Sequence, residues 1–133
     1  MEQKEEERLV MHLFRKNLPD LAKGKLLPGE SPDYLLRMDR RNAIGIELTR
    51  LTEKSDNLID EIHLAVSKKN DKLSHYQNMK INYYWLLIYT NDIFKYKSGN
   101  IQNKLDRLVL DTGFDRIWLL DLFKESVYMI YSK

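Results

Sequence analysis

The apolar positions of the chain change period several times, and each change predicts an element. Leu9, Val10, Leu13 and Phe14 recur at helical spacing, so a helix is predicted from Glu2 to about Lys16. Acidic residues crowd its first turn, where the helix dipole favours negative charge. Pro19, Gly24, Pro28, Gly29 and Pro32 then cluster within a short stretch and read as a loop. Asp33–Met38 and Ala43–Thr49 alternate apolar and polar residues on either side of Asp39-Arg40-Arg41-Asn42, the pattern of a β-hairpin. From about Ser55 to Met79 the period is helical again, with Leu58, Ile59, Ile62, Val66, Leu73 and Tyr76 on one stripe. Tyr83–Tyr89 is continuously apolar, which suits a central strand covered on both faces. Ser98 or Asn100 is placed to cap a further helix carrying Ile101, Leu105 and Leu108, and Gly113 ends that unit. Phe114–Leu120 and Val127–Tyr131 read as two last strands joined by the polar-rich Asp121–Ser126. Helix, two strands, long helix, strand, helix, two strands is the order of a two- or three-layer α/β domain, not of a bundle or a barrel.

Composition bounds what such a domain does. The 133 residues suit a single domain spanning 1–133, and a hydrophobic fraction of 43% supplies a core. The 22 basic and 20 acidic residues leave a formal charge of +2, so contact with a polyanion has to come from a local patch. The absence of cysteine excludes a disulfide scaffold, a zinc–thiolate site and a cysteine nucleophile. The N-terminus is too acidic for a secretory or transit peptide, and no apolar run approaches a membrane span, so a cytoplasmic protein with no membrane partner is expected. No glycine-rich phosphate loop occurs. His12, His63 and His75 are scattered without metal-ligand spacing and read as surface or boundary residues.

The hairpin carries the first chemical signal. Tyr34, Leu36 and Met38 share one face of its first strand; Ile44, Ile46 and Leu48 share one face of the second. With both sets on one side of the sheet, a three-residue connection from Asp39 to Arg41 sets Asp33 opposite Glu47. Two carboxylates that close repel unless a cation or a proton lies between them, and a divalent ion with oxygen ligands resolves the conflict. Gly45 leaves room beside Glu47 for a ligand or a helix. The plainer alternative makes Asp33 a strand-starting turn residue and Glu47 a solvated sheet residue. On the long helix, Lys69 falls in the middle of the apolar arc while Lys68 points away, so Lys69 either snorkels outward or meets an anion. Glu6 projects from the core-facing side of the first helix, with Glu5 and Glu7 toward its edges. It either answers the helix dipole or joins the acidic site as a third group.

Ser31-Pro32-Asp33-Tyr34-Leu35-Leu36 followed by Ile44-Gly45-Ile46-Glu47-Leu48-Thr49 resembles the PD-(D/E)xK, or restriction-endonuclease-like, nuclease superfamily. The resemblance extends from the first helix through Tyr83–Tyr89. It implies an αβββαβ core with a mixed central sheet flanked by helices, to which the last two strands add a C-terminal β-hairpin. It also implies metal-dependent phosphodiester hydrolysis, in DNA rather than RNA, with Mg²⁺ (Mn²⁺ substituting) held by Asp33 and Glu47 and with Glu6 joining through water. In that mechanism the ion polarises the scissile phosphate and acidifies the attacking water, and Lys69 stabilises charge on the phosphoryl oxygens.

Two departures stand against the pattern. Thr49 occupies the position of the motif lysine, which some members of the superfamily carry on the following helix. A core strand before Asp33 is hard to find in the turn-rich Gly24–Ser31. A catalytically inactive member that binds nucleic acid or protein, and an unrelated α/β interaction protein, are the alternatives. Arg37-Met38-Asp39-Arg40-Arg41 and Lys95-Tyr96-Lys97 are basic runs that either bind phosphates, with Tyr96 for base stacking, or are simply solvated. The terminal hairpin, with Trp118, Phe123, Tyr128 and Tyr131, either packs the core or holds a second subunit in a homodimer.

Overall fold

The computed structural model describes residues 3–30, 32–73, 81–96 and 100–133. The elements are α1 (Gln3–Asn17), a 3-10 helix (Pro19–Lys23), β1 (Lys25–Pro28), β2 (Tyr34–Arg37), β3 (Ala43–Arg50), α2 (Leu58–Asn70), β4 (Tyr83–Thr90), a 3-10 helix (Ile93–Lys95), α3 (Ile101–Asp106), β5 (Arg116–Asp121) and β6 (Ser126–Ser132). The six strands lie side by side in chain order. β1, β2 and β3 form an antiparallel meander, and β6 returns antiparallel to β5. β3, β4 and β5 are mutually parallel, because α2 and α3 supply the crossovers that parallel neighbours require. The domain is α/β with an open, mixed sheet.

Each sheet face buries its own core. Val10, Met11, Leu13 and Phe14 of α1 pack with Tyr34, Leu36, Ile46, Leu48, Trp85 and Trp118. Leu58, Ile62 and Val66 of α2 and Ile101 and Leu105 of α3 pack with Leu86, Ile88, Ile117 and Leu119 on the other face. The unbroken apolar run of β4 follows directly: Trp85, Leu87 and Tyr89 point to one core, and Leu86 and Ile88 to the other. Phe14 meets the edges of Trp85 and Trp118 at centroid distances of 6.4 and 5.4 Å, which centres the first core on an aromatic cluster.

Several sequence-based expectations need correction. The turn-rich stretch before Asp33 contains a strand: Lys25–Pro28 pairs with β2, and as an edge strand it tolerates the proline at its end. On α1, Leu9 is 40% exposed and Met11 is buried in its place. α2 ends at Asn70, after which 71–73 form a turn. Tyr76 and the rest of the predicted extension to Met79 lie outside the described residues, as do Ser31, His75, Lys97 and Ser98. Asn100 caps α3, accepting from Asn103 N. The last two strands form the expected C-terminal hairpin, which is continuous with the single six-stranded sheet, with Trp118 in the core and Phe123 exposed. Among the described residues, no helix is long and apolar enough to cross a membrane.

Candidate functional site

The β2–β3 ladder pairs Tyr34 with Ile46 and Leu36 with Ile44. Continued by one residue, that register sets Asp33 opposite Glu47, as the hairpin pattern required. β3 runs eight residues and β2 only four, so β3 outreaches its neighbour on that side. Its Leu48 N–H would be left without a ladder partner. Asp33 Oδ2 accepts it at 2.8 Å, closing the edge where the two strands part.

Glu47 points to the face opposite Ile46 and Leu48 and is 4% exposed. Lys69, one turn beyond Ala65 and Val66 on the buried side of α2, brings its Nζ to 3.0 Å from Glu47 Oε1. The helical wheel had singled out that lysine; Lys68 beside it is exposed. Asp33 feels both groups. Its carboxyl is pushed up to about 6, chiefly by burial, and the charges of Glu47 and Glu7 add to the rise. The Leu48 N–H and the Lys69 ammonium act in the opposite direction.

Gly45 serves packing rather than ligand approach. A Cβ there would lie 3.0 Å from Pro32 Cγ and 3.2 Å from Ile81 Cδ1, so the missing side chain lets the segment leading into Asp33 lie flat on β3. Glu6 is drawn away from Asp33 into an ion pair with Arg50 at the end of β3. The acid of α1 that borders Asp33 is Glu7, across a cleft of about 460 Å³ also lined by Lys4, Arg8, Leu26 and Tyr34. Sequence reasoning set Glu7 at the edge of the helix face, and the signal that separates it from Glu6 is tertiary. Tyr89 was not foreseen either: its hydroxyl is pushed up to about 12 by burial and then by Glu6 and Glu7, which keeps a neutral phenol beside the carboxylates.

Glu61 also escaped the sequence. It is 3% exposed on α2, and its carboxylate gathers the β3–α2 connection by accepting from Thr52 Oγ1, Lys54 N and Ser55 N at 2.8–3.2 Å. Burial alone would raise its pKa, but those hydrogen bonds leave it lowered. Tyr96 is buried and offers no ring for base stacking. His12 and His63 are exposed. Among the described residues, no group of three or more His, Asp or Glu side chains gathers as a metal cage. The paired carboxylates nevertheless suit Mg²⁺, which binds one or two carboxylates and takes its remaining ligands from water and phosphate. Compared with known protein families, with curated proteins and with solved structures, the chain matches none.

Proposed function

We propose that the chain is a metal-dependent nuclease of the PD-(D/E)xK type, hydrolysing phosphodiester bonds in DNA, with Lys69 standing in for the motif lysine that Thr49 replaces. The observation that carries this reading is the 3.0 Å approach of Lys69 Nζ to Glu47 Oε1 beside the cross-strand carboxyl of Asp33. Acid groups from adjoining strands and an amine from the following helix are what in-line attack on a phosphodiester requires: a place for a cation, and a fixed positive charge for the oxygens of the scissile group. Asp33 and Glu47 would hold Mg²⁺ or Mn²⁺. A divalent ion there supplies charge stabilisation and an acidified water. Lys69 orients and neutralises one phosphoryl oxygen. Leu48 N–H holds the Asp33 carboxylate in one orientation.

One observation favours a second reading, a non-catalytic member of the same fold that binds nucleic acid or protein. Lys69 already neutralises Glu47, and Leu48 N–H already satisfies one Asp33 oxygen, so the cluster is stable without an ion. Cleavage of supercoiled and linear DNA in Mg²⁺ or Mn²⁺ decides between them. The nuclease reading expects cleavage that Asp33→Asn, Glu47→Gln and Lys69→Met each reduce at least a hundredfold, with Lys68→Met unaffected. Full cleavage by all three variants, or none by the wild type in either ion, refutes it.

A further inference from the structure

We propose that the end of the sheet built by β1 and the β2–β3 turn binds the phosphodiester backbone of a nucleic acid to one side of the Asp33–Glu47–Lys69 cluster. Only the position of the scissile phosphate rests on the nuclease reading above. Lys25 and Arg37 are direct cross-strand partners, and both are exposed. Like charges set opposite one another are destabilising in a sheet unless an anion offsets them. Arg37 pairs in turn with Ala43, so the turn carrying exposed Arg40 and Arg41 begins immediately beyond it. Gly24 brings the preceding segment against that turn: a Cβ there would lie 2.6 Å from Met38 Sδ. Arg15 Nη2 pins the same point by donating to Gly24 O at 2.8 Å. Exposed Lys23 and Lys25 therefore flank the turn.

Five cations result, and the acid among them is already committed. Asp39 Oδ1 accepts from Arg41 N and Asn42 N, and Oδ2 accepts from Asn42 Nδ2, at 2.8–2.9 Å. Among the described residues, no carboxylate forms an ion pair with any of Lys23, Lys25, Arg37, Arg40 or Arg41. The chain's net charge is only +2, so this concentration is local, the form of a steering or docking patch.

Its placement selects the partner. By strand alternation Lys25 and Arg37 share the sheet face with Glu47, and Arg37 stands four residues along β2 from Asp33. Four strand residues span about 13 Å, close to four base-pair rises of ~3.4 Å. A nucleic acid lying along β2 with one phosphate at the cluster therefore presents a later phosphate to the patch.

The test is equilibrium binding of the full chain in chelator, where no cleavage occurs, to fluorescent duplex DNA, duplex RNA and polyglutamate at several salt concentrations. The compared variant is Lys25→Gln/Arg37→Gln/Arg40→Gln/Arg41→Gln; Lys68→Gln/Lys104→Gln is the control. The patch variant should lose at least tenfold in duplex affinity and flatten the salt dependence by about 3.6 in logarithmic slope, while the control matches wild type. An unchanged urea midpoint shows that the variant is folded. Whether DNA or RNA is held more tightly assigns the source of the backbone. Wild-type affinity in the patch variant, no duplex binding by the wild type, or polyglutamate held more tightly than both duplexes overturns the proposal. Duplex binding that depends on the patch, without hydrolysis of even a small phosphodiester in Mn²⁺, sinks the nuclease reading and leaves the patch standing.

Discussion

Lys69 Nζ lies 3.0 Å from Glu47 Oε1 although 22 positions separate them, and the pair is largely buried between α2 and β3. Removing one member of such a pair leaves the other charge poorly solvated. Lys69→Met is expected to cost about 2–3 kcal/mol by urea denaturation. Lys68→Met should stay within ~0.5 kcal/mol. Combining Lys69→Met with Glu47→Gln should restore part of the loss. Additive losses in the double variant would mean that the two side chains do not interact.

Asp33 predicts an inverted pH dependence. Its carboxyl rises from 3.8 to about 6 in the fold, so the folded state holds the proton more tightly than the unfolded one. Stability from this group therefore falls as pH rises through that window, and the deficit is complete above it. Because the side chain is partly exposed, the expected size is about 1 kcal/mol. Asp33→Asn keeps an acceptor for Leu48 N–H and removes the charge; it should be more stable than wild type at pH 8 and equal to it near pH 4. Asp33→Ala strips the acceptor and should be less stable at both. An asparagine variant no more stable at pH 8 contradicts the account.

A divalent ion between Asp33 and Glu47 should stabilise the fold whether or not turnover follows, since ligand bound only to the native state adds to stability by mass action. Calorimetric scans at pH 8 are expected to give a higher Tm in Mg²⁺ or Mn²⁺ for the wild type. Asp33→Asn and Glu47→Gln should lose that increment. An increment of the same size in both variants would place the ion elsewhere.

Glu61 is expected to behave as a structural carboxylate. With its pKa lowered in the fold, its contribution is present above the ordinary glutamate range and is lost as pH falls through the lowered value. Glu61→Ala, which abandons Thr52, Lys54 and Ser55, should cost about 2–4 kcal/mol at neutral pH. Glu61→Gln should cost less. Amide exchange in 52–55 should speed up in the alanine variant; unchanged exchange would show that the carboxylate does not organise this connection.

Local periodicity, read from sequence, determines much of this protein. It yields α1, the start of α2, the two-faced β4, and the hairpin register that sets Asp33 opposite Glu47, because each depends on residues a few positions apart. Lys69 belongs with these: a helical wheel needs no tertiary information to set a lysine on a buried stripe. What only the tertiary structure decided depends on segments distant in sequence. β1 is a strand because β2 offers it an edge, despite Gly24 and Pro28. Glu6 goes to Arg50 while Glu7 borders Asp33, and adjacent helix residues are separated only by what packs around them. Glu61 interrupts the apolar stripe because the connection just before α2 folds over the helix start to hydrogen-bond it, a loop path that residue periodicity does not encode, and Tyr96 is buried in the core that α2 and β4 share. A sequence carries its own period but not the identity of the surface that will lie against it, and at Asp33, Glu47 and Lys69 that surface is the candidate site.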